Sequence, residues 1–310
     1  MRHRQADGSM DLAQLRTFLA VYRAGSITAA AGQVGLSQPT VTTQLQALER
    51  HLGRPLFERL PRGVAPTAAA HDLAARVAAP LDALESVTGT GTLDSPPVTE
   101  PPVLLGGPTE LLGTLVLPAL APLIAEGIRL TVTTGLADDL LVDLRVGKLD
   151  LALSTVRPRG RTVLADALAD EEFILVGAPD LAARADPNRL RANDFTATPL
   201  VAYAPDLPII RRYWRHVFDT RLEAEPALVV PDLRAVLAAV VAGAGISVLP
   251  TYLCTRELSS GAIEPLHTPA DAPINTIFLA RRVGGPPRPH VDRLRTHLRE
   301  TARHWQSCAD

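Results

Sequence analysis

Residues 26–59 read SITAAAGQVGLSQPTVTTQLQALERHLGRPLFER, which is two helix-forming stretches separated by a short glycine turn. Ser26 or Thr28 can cap the first stretch, and Gly35 provides the turn that ends it. Ser37 is a favourable N-cap for the second stretch, and Pro39 falls in its first turn, where its missing N–H is not needed. This order predicts a helix, a tight turn and a second helix.

The flanking residues extend this unit on both sides. Apolar residues between Asp11 and Arg23 recur at three- and four-residue spacing, which predicts an amphipathic helix before the pair. After the pair, residues 55–67 predict a two-stranded hairpin with Gly63 between its strands. A long helix is predicted to follow from Thr67 or Ala68, and Pro80 interrupts its apolar stripe. The N-terminal part is therefore predicted to be a helical domain with a β-hairpin wing.

The third helix of this domain has two contrasting faces. Its inward stripe consists of Val41, Leu45 and Leu48, whereas the opposite face is polar and uncharged. The polar residues are Gln38, Thr40, Thr42, Thr43, Gln44 and Gln46. Amides can bond to adenine, and threonine can contact several base edges or the thymine methyl, so this face suits a major groove. We expect this helix to read bases.

Arginines lie where a wing would meet the DNA backbone. Eight arginines and four acidic residues give residues 1–70 a net charge of +4, whereas the whole chain carries −2. Arg54, Arg59 and Arg62 sit in or beside the hairpin. Because phosphate contacts require cations, we expect these three side chains to hold the DNA backbone beside the recognition helix.

Beyond residue 102 the pattern changes. Residues 89–102, GTGTLDSPPVTEPP, are rich in proline and glycine and predict a linker. From Val103 to Ala280 predicted strands and helices alternate, and a closing helix follows from about Pro289 to His304. Such alternation is typical of parallel α/β units. One strand is expected at 173–176 and the last at 275–280.

The N-terminal stretch closely resembles the winged helix-turn-helix of LysR-type transcriptional regulators. The resemblance is carried by Ala29-Ala30, Ser37-Gln38-Pro39, Leu48-Glu49, Leu52-Gly53 and Leu56-Phe57, followed by Arg59. Four positions depart from the family pattern, which commonly has arginine at Thr43, a basic pair at 46–47 and glycine at Ala70. The resemblance implies that Gln38, Pro39, Thr40, Thr42, Thr43 and Arg59 face DNA or set the helix. The complete candidate DNA-binding set adds Thr28, Ser37, Gln44, Arg54 and Arg62.

The resemblance also implies an architecture. We expect a winged helix-turn-helix domain over 10–67, a pairing helix over 68–90, a hinge over 91–102 and an effector-binding domain over 103–304. That last domain would resemble periplasmic binding proteins, with lobe I formed by about 103–172 and 269–304 and lobe II by about 173–268. The fold class is thus α/β with an N-terminal all-α domain. The expected partners are double-stranded promoter DNA, a small-molecule effector and further copies of the chain, as a homodimer or homotetramer.

An effector would bind beyond the carboxyl ends of the strands, where helix N-termini offer free N–H groups. The residues that follow or end predicted strands are Thr109, Thr134, Thr155 and Tyr203, and Gly245 lies in a turn that approaches the same crevice. By resemblance, Thr109 and Thr155 fall near inducer contacts, and an effector carboxylate is the common case. Glu110 would repel an anion, which leaves a cationic or neutral effector open.

Other classes of function find less support in the sequence. No catalytic, cofactor or metal motif is present, so neither an enzyme nor a metal site is expected. Cys254 and Cys308 have no metal spacing, although a redox role stays open. The longest apolar segment, 235–250, is too short to span a membrane, and a cytoplasmic location is expected. The alternatives to a regulator are a periplasmic-type solute-binding protein without a DNA role and an α/β enzyme.

Overall fold

The computed structural model describes residues 11–61, 63–88, 100–160, 162–196, 198–284 and 288–305. Its first three helices are α1 (Leu12–Ala24), α2 (Ile27–Val34) and α3 (Gln38–Leu52). The Ser26 hydroxyl caps α2 and the Ser37 hydroxyl caps α3, each accepting a hydrogen bond at 3.3 Å from the backbone N–H three residues later. Gly35 ends α2 with a positive φ of 68°. The predicted helix-turn-helix is confirmed.

The wing is a short hairpin anchored to the helices. Strands β1 (Phe57–Arg59) and β2 (Val64–Pro66) pair antiparallel, with Arg59 opposite Val64. The Val64 N–H donates to the Gly25 carbonyl at 3.0 Å. Gly63 has φ +88°, and a Cβ there would lie 2.5 Å from the Gly25 oxygen. Only glycine fits this approach, which fixes the wing against the turn between α1 and α2.

The next helix, α4 (Ala68–Thr88), continues through Pro80. Its apolar side joins the core of the first three helices, because Leu73, Ala74 and Ala78 are buried together with Phe18. The Tyr22 hydroxyl and His71 Nδ1 lie 2.6 Å apart, which adds a polar link between α1 and α4. The N-terminal helices and α4 therefore pack as one unit.

The remainder of the chain is a two-lobed α/β structure. Its sheet has the strand order β10-β6-β11-β5-β3-β4, and β9 also pairs with β6. The strands are β3 (Val103–Gly107), β4 (Leu130–Thr134), β5 (Leu151–Ser154), β6 (Val163–Gly177), β7 (Val201–Ala202), β8 (Leu228–Val229), β9 (Ser247–Pro250), β10 (Glu264–His267) and β11 (Ile274–Arg282). The helices are α5 (Thr109–Leu111), which continues through a π-helical turn (Leu112–Val116) into α6 (Leu117–Ala125), then α7 (Ala137–Arg145), α8 (Pro179–Ala182), α9 (Pro187–Arg191), α10 (Pro208–Val217), α11 (Leu233–Val241), α12 (Thr251–Ser259) and α13 (Pro289–Thr301), which ends in a 3₁₀ turn (Ala302–His304).

The parallel units expected from the alternation form only part of this sheet, which is mixed. Strands β3, β4 and β5 are parallel, but β11 runs antiparallel to both β5 and β6, and β9 and β10 run antiparallel to β6. The sequence predicted a four-residue strand at 173–176, whereas β6 has 15 residues. Strands β6 and β11 pair along 163–172 and cross together between the lobes. The predicted lobe boundary near residue 172 thus falls inside β6 and stays a prediction.

Separate apolar cores stabilise the two lobes. Leu105, Leu120 and Leu279 belong to the core of lobe I, whereas Trp214 and Ile210 belong to a core of lobe II. The Trp214 indole N–H donates to the Leu190 carbonyl at 3.1 Å, which satisfies its buried polar atom. Across the described residues, no helix is both long enough and apolar enough to cross a membrane.

Candidate nucleic-acid interface and interlobe cleft

The start of α3 projects from the domain with its polar side exposed. Gln38, Pro39, Thr40 and Thr43 are all exposed, as are Ser37 before them and Thr28 in α2. Thr42 is half-buried on the flank of the helix. The inward residues Val41, Leu45 and Leu48 are buried, as predicted. The first two turns of α3 therefore offer an uncharged surface to a partner.

Thr42 and Thr43 have their hydroxyl hydrogens committed to backbone carbonyls of α3. Thr42 donates to the Gln38 carbonyl at 3.0 Å, and Thr43 donates to the Pro39 carbonyl at 2.9 Å. These bonds hold each side chain in one orientation. The oxygen lone pairs and methyl groups remain to meet a partner, which suits base-edge donors and thymine methyls.

Gln44 differs from the other candidates on this helix. It is half-buried, and its Oε1 accepts a short hydrogen bond from the Thr17 hydroxyl of α1. Its amide oxygen is thus committed within the domain. The exposed stripe instead continues from Pro39 and Thr43 through Gln46 and Arg50, at helical spacing. Gln46 had been placed on the polar face of the helix but not in the candidate DNA-binding set, and Arg50, which helical spacing adds to the same stripe, was missed.

The candidate arginines flank this stripe. Arg54 follows α3, Arg59 ends β1, and both are exposed. Arg62 lies outside the described residues. Glu49 Oε1 accepts hydrogen bonds from the backbone N–H groups of Leu56 at 2.8 Å and Phe57 at 3.3 Å, which ties the start of the wing to α3. The Leu-Glu of the sequence pattern therefore orients the wing relative to the helix.

Three of the five predicted effector residues meet at one edge of lobe I. Because β3 runs parallel to β4 and β5, the carboxyl ends of these strands lie side by side. Thr134 ends β4 opposite Gly107, and Thr109 opens α5 directly after β3. Thr155 follows β5. Thr109 and Thr155 are half-buried, whereas Thr134 is exposed on the outermost strand.

Residues of lobe II lie near this edge of lobe I. Burial, then the charge of Asp206 and then that of Glu110 raise the pKa of Tyr203, so Tyr203 lies within electrostatic reach of α5. Burial and the charge of Asp232 raise the pKa of Glu110, against the opposing effect of Arg234. Arg234 Nη2 pairs with the Asp232 carboxylate at 2.7 Å at the N-terminus of α11. An ion pair of lobe II and a partly buried carboxyl group of lobe I thus lie close together, which strand-end reasoning alone did not predict.

Gly245 has a structural reason to be glycine. It is buried, and a Cβ there would lie 2.2 Å from the Pro199 carbonyl oxygen. The backbone comes this close because Leu200 and Ile246 form a parallel bridge, in which the Ile246 N–H donates to the Pro199 carbonyl at 2.9 Å. Close backbone packing therefore accounts for Gly245 without an effector.

Chemically reactive groups are scarce in the part of the chain that the structure describes. Burial raises the pKa of the Cys254 thiol to about 12, so the nucleophilic thiolate is strongly disfavoured at neutral pH. Cys308 lies outside the described residues. No cluster of three or more potential metal ligands occurs among the described side chains.

Two protein-family models together match most of the chain. Residues 12–71 match the family described as "Bacterial regulatory helix-turn-helix protein, lysR family". Residues 101–303 match the "LysR substrate binding domain". One curated relative, the HTH-type transcriptional regulator AbaB of Streptomyces antibioticus, is 47% identical over 302 residues, covering 96% of this chain and 100% of AbaB.

Solved structures share the fold at low sequence identity. ArgP from Mycobacterium tuberculosis superposes with a TM-score of 0.69 at 20% identity, covering 94% of this chain and 97% of ArgP. The full-length LysG of Corynebacterium glutamicum with bound effector Arg has a TM-score of 0.66 at 21% identity and covers 95% of this chain and 98% of its own. These neighbours extend over both the helical N-terminal part and the two lobes.

Proposed function

The chain belongs to the LysR family of transcriptional regulators, and from this premise we propose that α3 enters the major groove of promoter DNA. It is a DNA-binding regulator with an effector-binding domain. The observation that carries the proposal is the uncharged, exposed stripe that begins at Gln38 and Pro39 and continues through Thr43. In this arrangement Gln38, Thr40 and Thr43 contact base edges, and Ser37, Thr28 and Thr42 support the approach of α3.

The proposed phosphate contacts come from arginines on either side of α3. Arg54 and Arg59 are exposed. Backbone N–H groups of the wing donate hydrogen bonds to the Glu49 carboxylate and the Gly25 carbonyl, and these bonds hold the wing that carries Arg59 at a fixed angle to α3. Arginine offers several donors in a fixed plane, which suits phosphate oxygens. Sequence reading and backbone binding are thus assigned to different residues.

The proposed assembly is a homodimer or homotetramer located in the cytoplasm. Two recognition helices related by a twofold axis can read the two halves of a roughly palindromic site. Helix α4 supplies the proposed pairing surface, because the small side chains Ala75 and Ala79 on its outer side allow a second helix to approach. Regulation by this route needs no catalysis by the chain.

We further propose that the effector binds in the cleft between Thr109 and Thr155 of lobe I and Tyr203 of lobe II. An effector that prefers one relative orientation of the lobes shifts the population of the assembly towards that orientation. The Asp232–Arg234 pair and Glu110 give the cleft both signs of charge, which fits an effector carrying both an amino and a carboxylate group. The bare carboxylate expected from the family resemblance fits less well, because Glu110 repels it.

Nuclease footprinting of the full-length protein on its own upstream DNA tests the groove assignment. Thr43→Ala removes the hydroxyl oxygen and the methyl group of an exposed residue. It is expected to raise at least tenfold the protein concentration needed to give the footprint. Thr301→Ala is the matched control, since Thr301 also donates to the carbonyl four residues earlier, at 2.9 Å, but lies in α13. Equal footprints from both variants would contradict the proposal.

A further inference from the structure

A cavity lies beside the two crossing strands, and Thr109, Thr155 and Tyr203 do not line it. This hinge cavity has a volume of about 420 Å³ and is lined by β6, β11, α12, the π-helical turn and Trp305. Its apolar wall consists of Leu115, Ile277 and Trp305, and Ile274 stands 51% exposed at its edge. A cavity of this size accommodates a small organic molecule.

One buried carboxyl group faces the hinge cavity. Glu171 is only 5% exposed, and its Oε1 accepts a hydrogen bond from Asn275 Nδ2 at 3.0 Å. Burial, which outweighs the Asn275 hydrogen bond, and the negative charge of Glu110 raise the pKa of Glu171 to about 7. Arg212 and Tyr252 act in the opposite direction. The charged form of Glu171 is therefore incompletely stabilised by its surroundings.

A buried hydroxyl lies next to that carboxyl group. The Tyr252 hydroxyl oxygen is shielded from solvent, and its polar neighbour is the Glu171 carboxyl group, with which its hydrogen bond is poorly aligned. Burial, followed by the charge of Glu171, raises the pKa of Tyr252 well above its ordinary value. Buried polar groups whose hydrogen bonds are poorly formed are uncommon and costly in native proteins. Two incompletely satisfied polar groups thus meet at the edge of an apolar cavity.

We propose that the hinge cavity is a binding site for a small organic amine. The ammonium group would lie between Glu171 and Tyr252, and the hydrocarbon body would pack on Leu115, Ile277 and Trp305. An ammonium has three donors and no acceptor, so it satisfies both oxygens at once. The lining contains three carboxyl groups, those of residues 170–172, and no lysine, arginine or histidine, so a carboxylate ligand is disfavoured.

The site has a physical route to regulation. Strands β6 and β11 connect the lobes, and α12 carries Tyr252 on the lobe II side, so the ligand contacts parts of both lobes. A ligand that fits one lobe orientation better than another shifts their populations. Ligand binding in the hinge cavity occurs on the free protein and does not depend on how α3 contacts DNA.

Calorimetric titration of the full-length protein without DNA tests the site. The probes are 2-phenylethylamine, the neutral isostere 2-phenylethanol and the carboxylate 3-phenylpropionate. The amine is expected to bind with a dissociation constant of about 1 mM or lower and at least tenfold more tightly than either comparison compound. Its affinity should fall about tenfold from pH 8 to pH 6, as Glu171 takes up a proton.

Two variants separate the site from general attraction of cations. Glu171→Gln is expected to reduce amine affinity at least tenfold and to remove the pH dependence. Glu264→Gln, the same change on an exposed residue of β10 that does not line the cavity, should alter affinity less than twofold. Leu115→Trp fills the cavity while retaining Glu171 and should also abolish binding. Absence of amine binding, equal binding of the alcohol, or equal losses at residues 171 and 264 would overturn the proposal.

Discussion

Arg23 of α1 and Asp82 of α4 form a two-pronged ion pair, with Nη1 and Nη2 of the arginine 3.0 and 2.7 Å from the two carboxylate oxygens. Asp82 is only 2% exposed, and Arg282 of β11 contacts the same carboxylate. The Arg23 Nε also donates to the Val146 carbonyl of lobe I at 2.8 Å. One carboxylate therefore joins the helix-turn-helix, the pairing helix and the effector-binding domain.

Asp82→Asn should lower the stability of the full-length protein substantially. It removes the buried carboxylate that both guanidinium groups contact directly, and breaking such a buried pair costs about 3 kcal/mol. Urea unfolding followed by circular dichroism measures the change. Asp143→Asn is the control, because Asp143 pairs with Lys148 at 3.4 Å in a more exposed setting and is expected to cost less than about 1 kcal/mol. Equal shifts for both variants would contradict the buried junction.

Gly63→Ala should displace the wing. The methyl group would lie 2.5 Å from the Gly25 oxygen, so the backbone must shift in addition to bearing a positive φ. Gly53→Ala is the matched control, since Gly53 also has positive φ but no atom lies within 4 Å of its Cβ position. The control should cost only the left-handed strain, about 1–2 kcal/mol. Fluorescence anisotropy with upstream DNA should show a larger loss of affinity for Gly63→Ala; the reverse order would disprove the anchoring role.

Glu171 makes stability depend on pH in a defined direction. Because its folded pKa is raised to about 7, the folded state binds a proton that the unfolded chain releases near pH 4.5. The stability contributed by this proton is complete below about pH 4.5 and is lost as pH rises through 7. Glu171→Gln should therefore stabilise the protein by up to about 3 kcal/mol at pH 8 and by little at pH 5. Chemical unfolding at both pH values measures this, and a pH-independent difference would refute it.

Local signals predicted the DNA-binding part well. The hydroxyl of Ser37, the glycine at 35 and the stripe of Val41, Leu45 and Leu48 all act within a few residues, so sequence spacing alone was enough. The direction of Gln44 was not accessible in this way. The direction of Gln44 is set by Thr17, which lies 27 positions earlier in the chain and donates a hydrogen bond to the Gln44 amide oxygen. A pattern read within α3 does not include Thr17.

Long-range pairing decided what the sequence did not predict. Residues 163–172 contain alanines and aspartates that do not favour strands by themselves, yet they form two thirds of β6 because β11 pairs with them. The hinge cavity also depends on the pairing of β6 with β11. Glu171, Tyr252 and Trp305 are distant in the chain and meet only when both crossing strands are in place.

The salt dependence of binding to a duplex from the upstream region tests the central assignment most directly. Wild-type affinity should fall steeply with salt concentration, and Arg59→Gln should reduce the slope of log affinity against log salt by about 0.9 per protomer. Gln38→Ala should weaken binding to this duplex and leave that slope unchanged, because an uncharged base contact releases no counterion. If the wild-type protein ignores the duplex even at low salt, or if Gln38→Ala alters only the slope, α3 does not read DNA as described.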